Sequence, residues 1–291
     1  MAIHSEKLFS RYAEEEINFV ESLAKLYNQS YMSINFGEDV IKDMIMSSIS
    51  GRPISVKSAT MAYRLMIQRV ALVANVLEDF ILFPQDVQKS LLKHNADMVV
   101  SLRGADFFHA SKQGSDQLLC SLGINDLETA IDLVEEVKIS FKRDEQDFKP
   151  IEYKNFNSIQ EKLDNTEGEK RYDLLLSRVG ANVSLDENLL ILLTFVIILC
   201  SDFDDGKVNP ASLKSIEKAQ SRMIGVLQRY ISAKFVEEEG SSILNSTMQC
   251  LGDLRELCII KDQRRKEPLR KVTFTDSSYD AVPVSSFPSS V

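Results

Sequence analysis

One stretch limits the possible folds more than any other. From Leu189 to Cys200 the chain reads LLILLTFVIILC, in which Thr194 is the one hydroxyl-bearing side chain. A bilayer crossing needs ~20 apolar residues, so this run is too short to span a membrane and too apolar to lie on a surface. It predicts a helix buried on every side, which demands other helices to cover it. The 291 residues suffice for that. A chain of this length buries roughly 75% of the surface its unfolded form exposes, and needs no disulfide or metal staple. Glycine (11) and proline (7) are sparse. Few turns are being written, so long helices are favoured over many short strands.

The hydrophobic and polar spacing predicts helices over 12–31, 58–80, 85–103, 126–141, 170–179, 209–235 and 241–264, with a shorter one near 156–163. Residues 33–57 show no clear period. Helix 58–80 carries apolar residues on nearly every side and is expected to run through the middle. Ser184 and Glu187 have capping-box spacing ahead of the apolar run. Asn209-Pro210 is a second helix start, and Glu237 to Gly240 is read as a stop. Residues 266–291, rich in Ser and Pro, are expected to form a disordered tail. The expectation is one all-α domain over 1–265, of nine or ten helices.

Much chemistry is excluded by counting. No nucleophile elbow, phosphate loop or H-E-x-x-H occurs. Cys120, Cys200, Cys250 and Cys258 include no C-x-x-C pair, and with three histidines they build no zinc ribbon or finger. No cofactor or metal is expected. A net charge of -9 argues against a nucleic-acid-coating surface. The N-terminus lacks a signal-peptide core, so a reducing compartment is expected. Asp202, Asp204 and Asp205 form either a solvated turn or an acidic metal site. The basic residues from Lys261 to Lys271 suit either a helix C-terminus or a nuclear import signal.

The segment Phe80-x-x-Phe-Pro84-x-x-Val-Gln88-x-x-Leu91-Leu92-Lys93 is more specific. It resembles the signature of nuclear-receptor ligand-binding domains, F-x-x-L-P-x-x-D-Q-x-x-L-L-K. Phe83 and Val87 depart from it, with Asp86 beside the missing acid. Ile67-Gln68-Arg69-Val70, Val100-Ser-Leu-Arg103, Leu192 to Asp202 and Leu251-Gly-Asp-Leu-Arg-Glu-Leu257 resemble the third, fifth, eighth and dimer helices of the vitamin D receptor-like group. The likeness runs in order over about 12–264.

The resemblance implies a three-layer antiparallel helical sandwich that binds a lipophilic small molecule, sterol-like or xenobiotic, and regulates transcription from the nucleus. It implies no enzyme. The ligand pocket would draw on Ala62, Met66, Val99, Val100, Arg103, Phe107 and Cys258. Arg103 either anchors a polar ligand group or is satisfied inside the protein. Ala71, Asn75, Gln88, Leu92 and Lys93 would form the groove for coregulator peptides. Met248, Leu251 and Arg255 would face a dimer partner of the retinoid X receptor kind.

Two departures bear on that expectation. Asn75 replaces the lysine that caps a coactivator helix in the family. The C-terminal residues contain no φφ-x-E-φφ activation helix, so corepressor peptides are expected to bind in preference to coactivators. Four cysteines cannot build the family's two-zinc module, which needs eight, so this chain is not expected to bind DNA directly. No membrane association is expected. Two other classes stay open: a dimerisation module that kept the scaffold but filled its pocket, and a lipid-metabolising enzyme using the acids at 202–205.

Overall fold

A computed structural model of the chain describes residues 2–50, 55–113, 167–183, 186–202 and 208–266. These are mostly helical, and no strand occurs among them. The fold is all-α. The predicted helices at 126–141 and 156–163, Cys120, and residues 267–291 lie outside the described residues.

The described helices are α1 (Ala2–Met32), α2 (Glu38–Ser50), α3 (Val56–Ala74), α4 (Glu78–Ile81), α5 (Gln85–Gln113), α6 (Glu167–Val183), α7 (Glu187–Ile198), α8 (Pro210–Lys234) and α9 (Glu237–Lys266). Helix α2 occupies the segment in which no period was legible. Among its described side chains, Val40 and Met44 are buried, with Ile41 packed against the same cluster. Glu38 and Asp39 in its first turn suit the positive end of the helix dipole.

Several boundaries differ from expectation, each for a local reason. Helix α3 stops at Ala74, six residues before Phe80. The Asn75 backbone N–H turns back to Leu72 and Val73, and its side-chain amide donates to Ala71 O at 3.0 Å. Those bonds satisfy carbonyls that the helix end would otherwise orphan. Helix α5 runs ten residues beyond Arg103, to Gln113. The apolar run is capped by Asp186, whose carboxylate accepts from the Asn188 N–H at 2.8 Å. The capping box expected from Ser184 to Glu187 therefore does not start this helix. Asn209 does cap α8 as expected, accepting from Ser212 N–H at 2.8 Å with Pro210 in the first turn. Glu237 to Glu239 open α9 and do not stop α8. The break falls one step earlier, at extended Phe235.

Helix α7 lies at the centre. Leu189 through Ile198 are all buried, and the helix packs against α1, α5, α6, α8 and α9. Each such side chain contributes about 1.5–3 kcal/mol of apolar burial before chain entropy is subtracted. Helix α3, expected in the middle, is fully enclosed only toward its end. Lys57, Met61 and Arg64 line an exposed edge of its first half.

Both ends of α7 are closed by side chains. At its C-terminus, the buried Asn95 amide on α5 donates to Ile198 O (3.2 Å) and Cys200 O (2.7 Å). At its N-terminus, Asp186 also accepts from the Tyr230 hydroxyl (2.9 Å) and pairs with Lys234 (2.7 Å). The bond to Asp186 holds Lys234 more firmly protonated than a free lysine. A helix this apolar is thus registered by polar contacts at its two tips.

Candidate functional site

Helices α1, α3 and α5 meet around a buried arginine, Arg69, and a largely buried one, Arg103. Arg103, on α5, directs its Nε and Nη2 at the Tyr27 hydroxyl on α1, at 2.9 and 2.5 Å. Its guanidinium also lies 5.0 Å from the Tyr27 ring centre and 4.8 Å from that of Tyr31. Asp106, one turn along α5, sits 3.8 Å from Nη1. Arg69, on α3, is 1% exposed. Its Nε and Nη2 donate to Ile34 O at 2.9 and 2.6 Å. The guanidinium is sandwiched between Tyr31 and Phe36, 4.5 and 4.3 Å from their ring centres. Its Nη1 is buried with no hydrogen-bond partner.

The result is a layered stack in which Tyr31 lies between the two cations. Tyr27 and Tyr31 are themselves parallel, 5.7 Å apart, and Phe195 of α7 meets Tyr27 edge-on. Tyrosines four residues apart on α1 share one face, which is why two consecutive turns present rings to the same layer. Burial opposes the charge on Arg103, but Tyr27, Tyr31 and Asp106 more than offset it and hold the guanidinium protonated. Burial raises the Tyr27 phenol above its ordinary range, against the pull of Arg103. Ring faces, a hydroxyl and a backbone carbonyl do here what carboxylates do in an ordinary buried ion pair.

The residues expected around a ligand fall close to this stack. Val99 is buried in the main core, with Met66, Val100 and Cys258 packed against it. Ala62 joins a neighbouring cluster with Phe36, Val40 and Met44, and Met66 touches both. The Tyr31 hydroxyl donates to the Met66 sulfur at 3.4 Å. Phe107 lies on α5, with its side chain outside those described. Sequence reasoning placed Tyr27 and Tyr31 on an apolar face and gave Arg69 no site role. Their signal was present: two arginines on helices otherwise destined for the interior, and two tyrosines one turn apart.

The coregulator residues sit where α3, α4 and α5 join. Ala71 is buried, and Asn75 caps α3. Gln88 is buried and its amide spans the turn, donating to Ile81 O (3.2 Å) and Phe83 O (2.8 Å). Phe80 and Leu91 are buried beneath it, Leu92 is half-buried and Lys93 is exposed. Ile81 and Leu82 beside them are exposed. The signature residues thus organise one turn, the amide fastening carbonyls that no helix satisfies.

On α9, Met248 and Arg255 are exposed and Leu251 is half-buried. Arg255 forms an ion pair with Asp202 and reaches the Cys200 sulfur at 3.6 Å. That pairing is exposed to solvent on both sides. Asp204 and Asp205 lie outside the described residues, among which no group of ligating side chains could hold a metal ion. No single described helix is long and apolar enough to cross a membrane. The chain matches no family model, and no curated protein matches it.

Proposed function

We propose that this chain is a ligand-sensing domain of the nuclear-receptor kind, folded as a three-layer helical sandwich, which binds a lipophilic molecule and regulates transcription. The observation that carries the reading is Gln88. Its amide holds the carbonyls of Ile81 and Phe83 between α4 and α5, which fastens the turn that carries the signature segment. The burial of Phe80 and Leu91 around it supports the same motif register. On this reading Met66, Val99, Val100 and Arg103 face the ligand, and Asn75, Leu92 and Lys93 meet a coregulator helix, with Ala71 and Gln88 buried beneath the groove. Met248, Leu251 and Arg255 meet a receptor partner of the retinoid X receptor kind. The protein acts in the nucleus, without enzymatic activity and without touching DNA itself.

A second reading is favoured by Arg103. Two of its donor groups are already spent on Tyr27. A scaffold that fills its own pocket would satisfy the arginine in this way and act through dimerisation alone. Titration of a fluorescent sterol analogue into the wild-type chain and Arg103→Leu separates the two. Saturable binding weakened about tenfold or more supports a ligand anchor, since a charge-assisted hydrogen bond is worth roughly 1.5–3 kcal/mol. Unchanged affinity removes Arg103 from the site, and no binding by either protein favours the filled scaffold. Peptide binding sharpens the outcome: a longer corepressor helix should bind more tightly than an L-x-x-L-L coactivator helix.

A further inference from the structure

The two arginines of the stack differ in what their N–H groups reach. Arg103 directs Nε and Nη2 at the Tyr27 hydroxyl, and its Nη1 lies 3.8 Å from Asp106. Arg69 directs Nε and Nη2 at Ile34 O. Its Nη1 belongs to a residue 1% exposed and has no hydrogen-bond partner, and no carboxylate pairs with it among the described residues. One carbonyl oxygen takes the Nε hydrogen and the near hydrogen of Nη2. The outer edge of the guanidinium, Nη1 with the second Nη2 hydrogen, is a fork of the shape that receives a carboxylate through two parallel bonds. A buried cation between ring faces, with no counter-ion, carries a desolvation cost that is not fully offset. Tyr31, whose ring stacks on this guanidinium, donates its hydroxyl to Met66 Sδ at 3.4 Å. A thioether is a weak acceptor. Two neighbouring donors therefore lack a strong one.

What surrounds them is hydrocarbon. Phe36 covers one face of the Arg69 guanidinium at 4.3 Å and clusters with Val40 and Met44 of α2 and Ala62 of α3, against which Met66 also packs. Helix α2 covers this cluster, packs chiefly on α3, and is fastened to the start of α3 by Asp43, which accepts from Ser55 N–H at 3.1 Å. A cover with few buried residues opens at lower cost than a core element. Met44 and Met66 can reshape around a guest, because thioether chains are unbranched and flexible. We propose that Arg69 anchors the carboxylate of a long-chain monocarboxylic acid, whose hydrocarbon runs between α2 and α3 along Met44, Ala62 and Met66. The carboxylate occupies the outer fork of Arg69, supplies its counter-charge, and offers Tyr31 a stronger acceptor than sulfur. A sterol hydroxyl brings one oxygen and no charge, so the acid is the class that meets all three needs. The inference rests on the reading that this chain takes up a lipophilic molecule, and adds the chemistry of that molecule's polar end.

The test is fluorescence titration of the folded full chain with dansyl-undecanoic acid and with its methyl ester, and with a fluorescent sterol analogue alongside. The acid is expected to bind about tenfold or more tightly than the ester, the ratio that one charge-assisted hydrogen bond produces. Arg69→Met should bring the acid down to the affinity of the ester and leave the ester unchanged. Arg69→Lys keeps the charge but not the fork, and should fall between. Thermal melts establish that each variant is folded; where Arg69→Met does not fold, the wild-type ratio and Arg69→Lys decide. Equal affinity for acid and ester in wild type, or an acid preference that persists in folded Arg69→Met, overturns the anchor. With saturable binding of the sterol analogue in that case, the acid class alone fails and the lipophile reading stands. Binding of none of the three probes overturns both.

Discussion

Helix α7 and the arginine stack beside it solve burial in opposite ways. Helix α7 encloses hydrocarbon: its one buried hydroxyl, Thr194, turns back on Leu190 O at 2.9 Å, and Asn95 and Asp186 close its two ends. The stack encloses two guanidiniums and stabilises them with ring faces, a phenol and one backbone carbonyl. Asp106 is the carboxylate paired with it among the described residues, at 3.8 Å from Arg103. Apolar burial is non-directional and tolerant of shape. A buried cation depends on particular partners, and removal of one partner leaves the full desolvation cost behind. The first region should therefore respond to volume and the second to single polar atoms.

The largest expected effect tests the volume side. Phe195→Ala on α7 empties space beside Tyr27 and should cost about 3–5 kcal/mol in urea melts; a loss under 1 kcal/mol would mean that the core collapses around the gap. Tyr27→Phe keeps the ring and deletes one oxygen. It should still cost about 1.5–3 kcal/mol, because Arg103 loses a charge-assisted acceptor. A neutral result would show that shape alone holds the stack, and the contrast between the regions would fail. Asn209→Ala, which removes the α8 cap, should cost about 1 kcal/mol and serves as the ordinary reference.

A pH effect of smaller size follows from the raised Tyr27 phenol. An unfolded tyrosine ionises near ~10. Above that pH the unfolded chain has released a proton that folded Tyr27 retains, so its contribution is whole below pH ~10 and is lost as pH rises toward the folded value. Stability measured at successive alkaline pH values should fall less in Tyr27→Phe than in wild type. Tyr230 and Cys250, raised by burial, and Lys234, raised by its bond to Asp186, contribute in the same direction. Smallest of all, Arg171→Ala, which breaks an exposed bidentate pair with Glu256, should leave the melting temperature almost unmoved.

Apolar burial was also the more legible of the two. The run from Leu189 to Cys200 announced a central helix because nothing but full enclosure suits such a sequence. Asn209-Pro210 announced a helix start because its chemistry is local. Asp186 was missed because three neighbouring residues could each have served as the cap, and the choice depends on Tyr230 and Lys234 arriving from α8. Glu237 to Gly240 was misread because acidic residues beside a glycine suit a helix start as well as a stop. The stack was least legible. Arg103 was singled out, but its partner Tyr27 lies 76 positions earlier, and no periodicity pairs residues across that distance. Val99 and Met66 could be placed in the interior from pattern alone, whereas the exposure of Met248 and the ion pair of Arg255 with Asp202 depend on how α9 is seated.

Native mass spectrometry of the purified chain tests the ligand-sensing claim most directly. A co-purified lipophile, present on the wild-type chain and diminished on folded Arg103→Leu, is the result predicted. A bare chain that also takes up no sterol analogue on addition would contradict it and leave the filled scaffold as the reading.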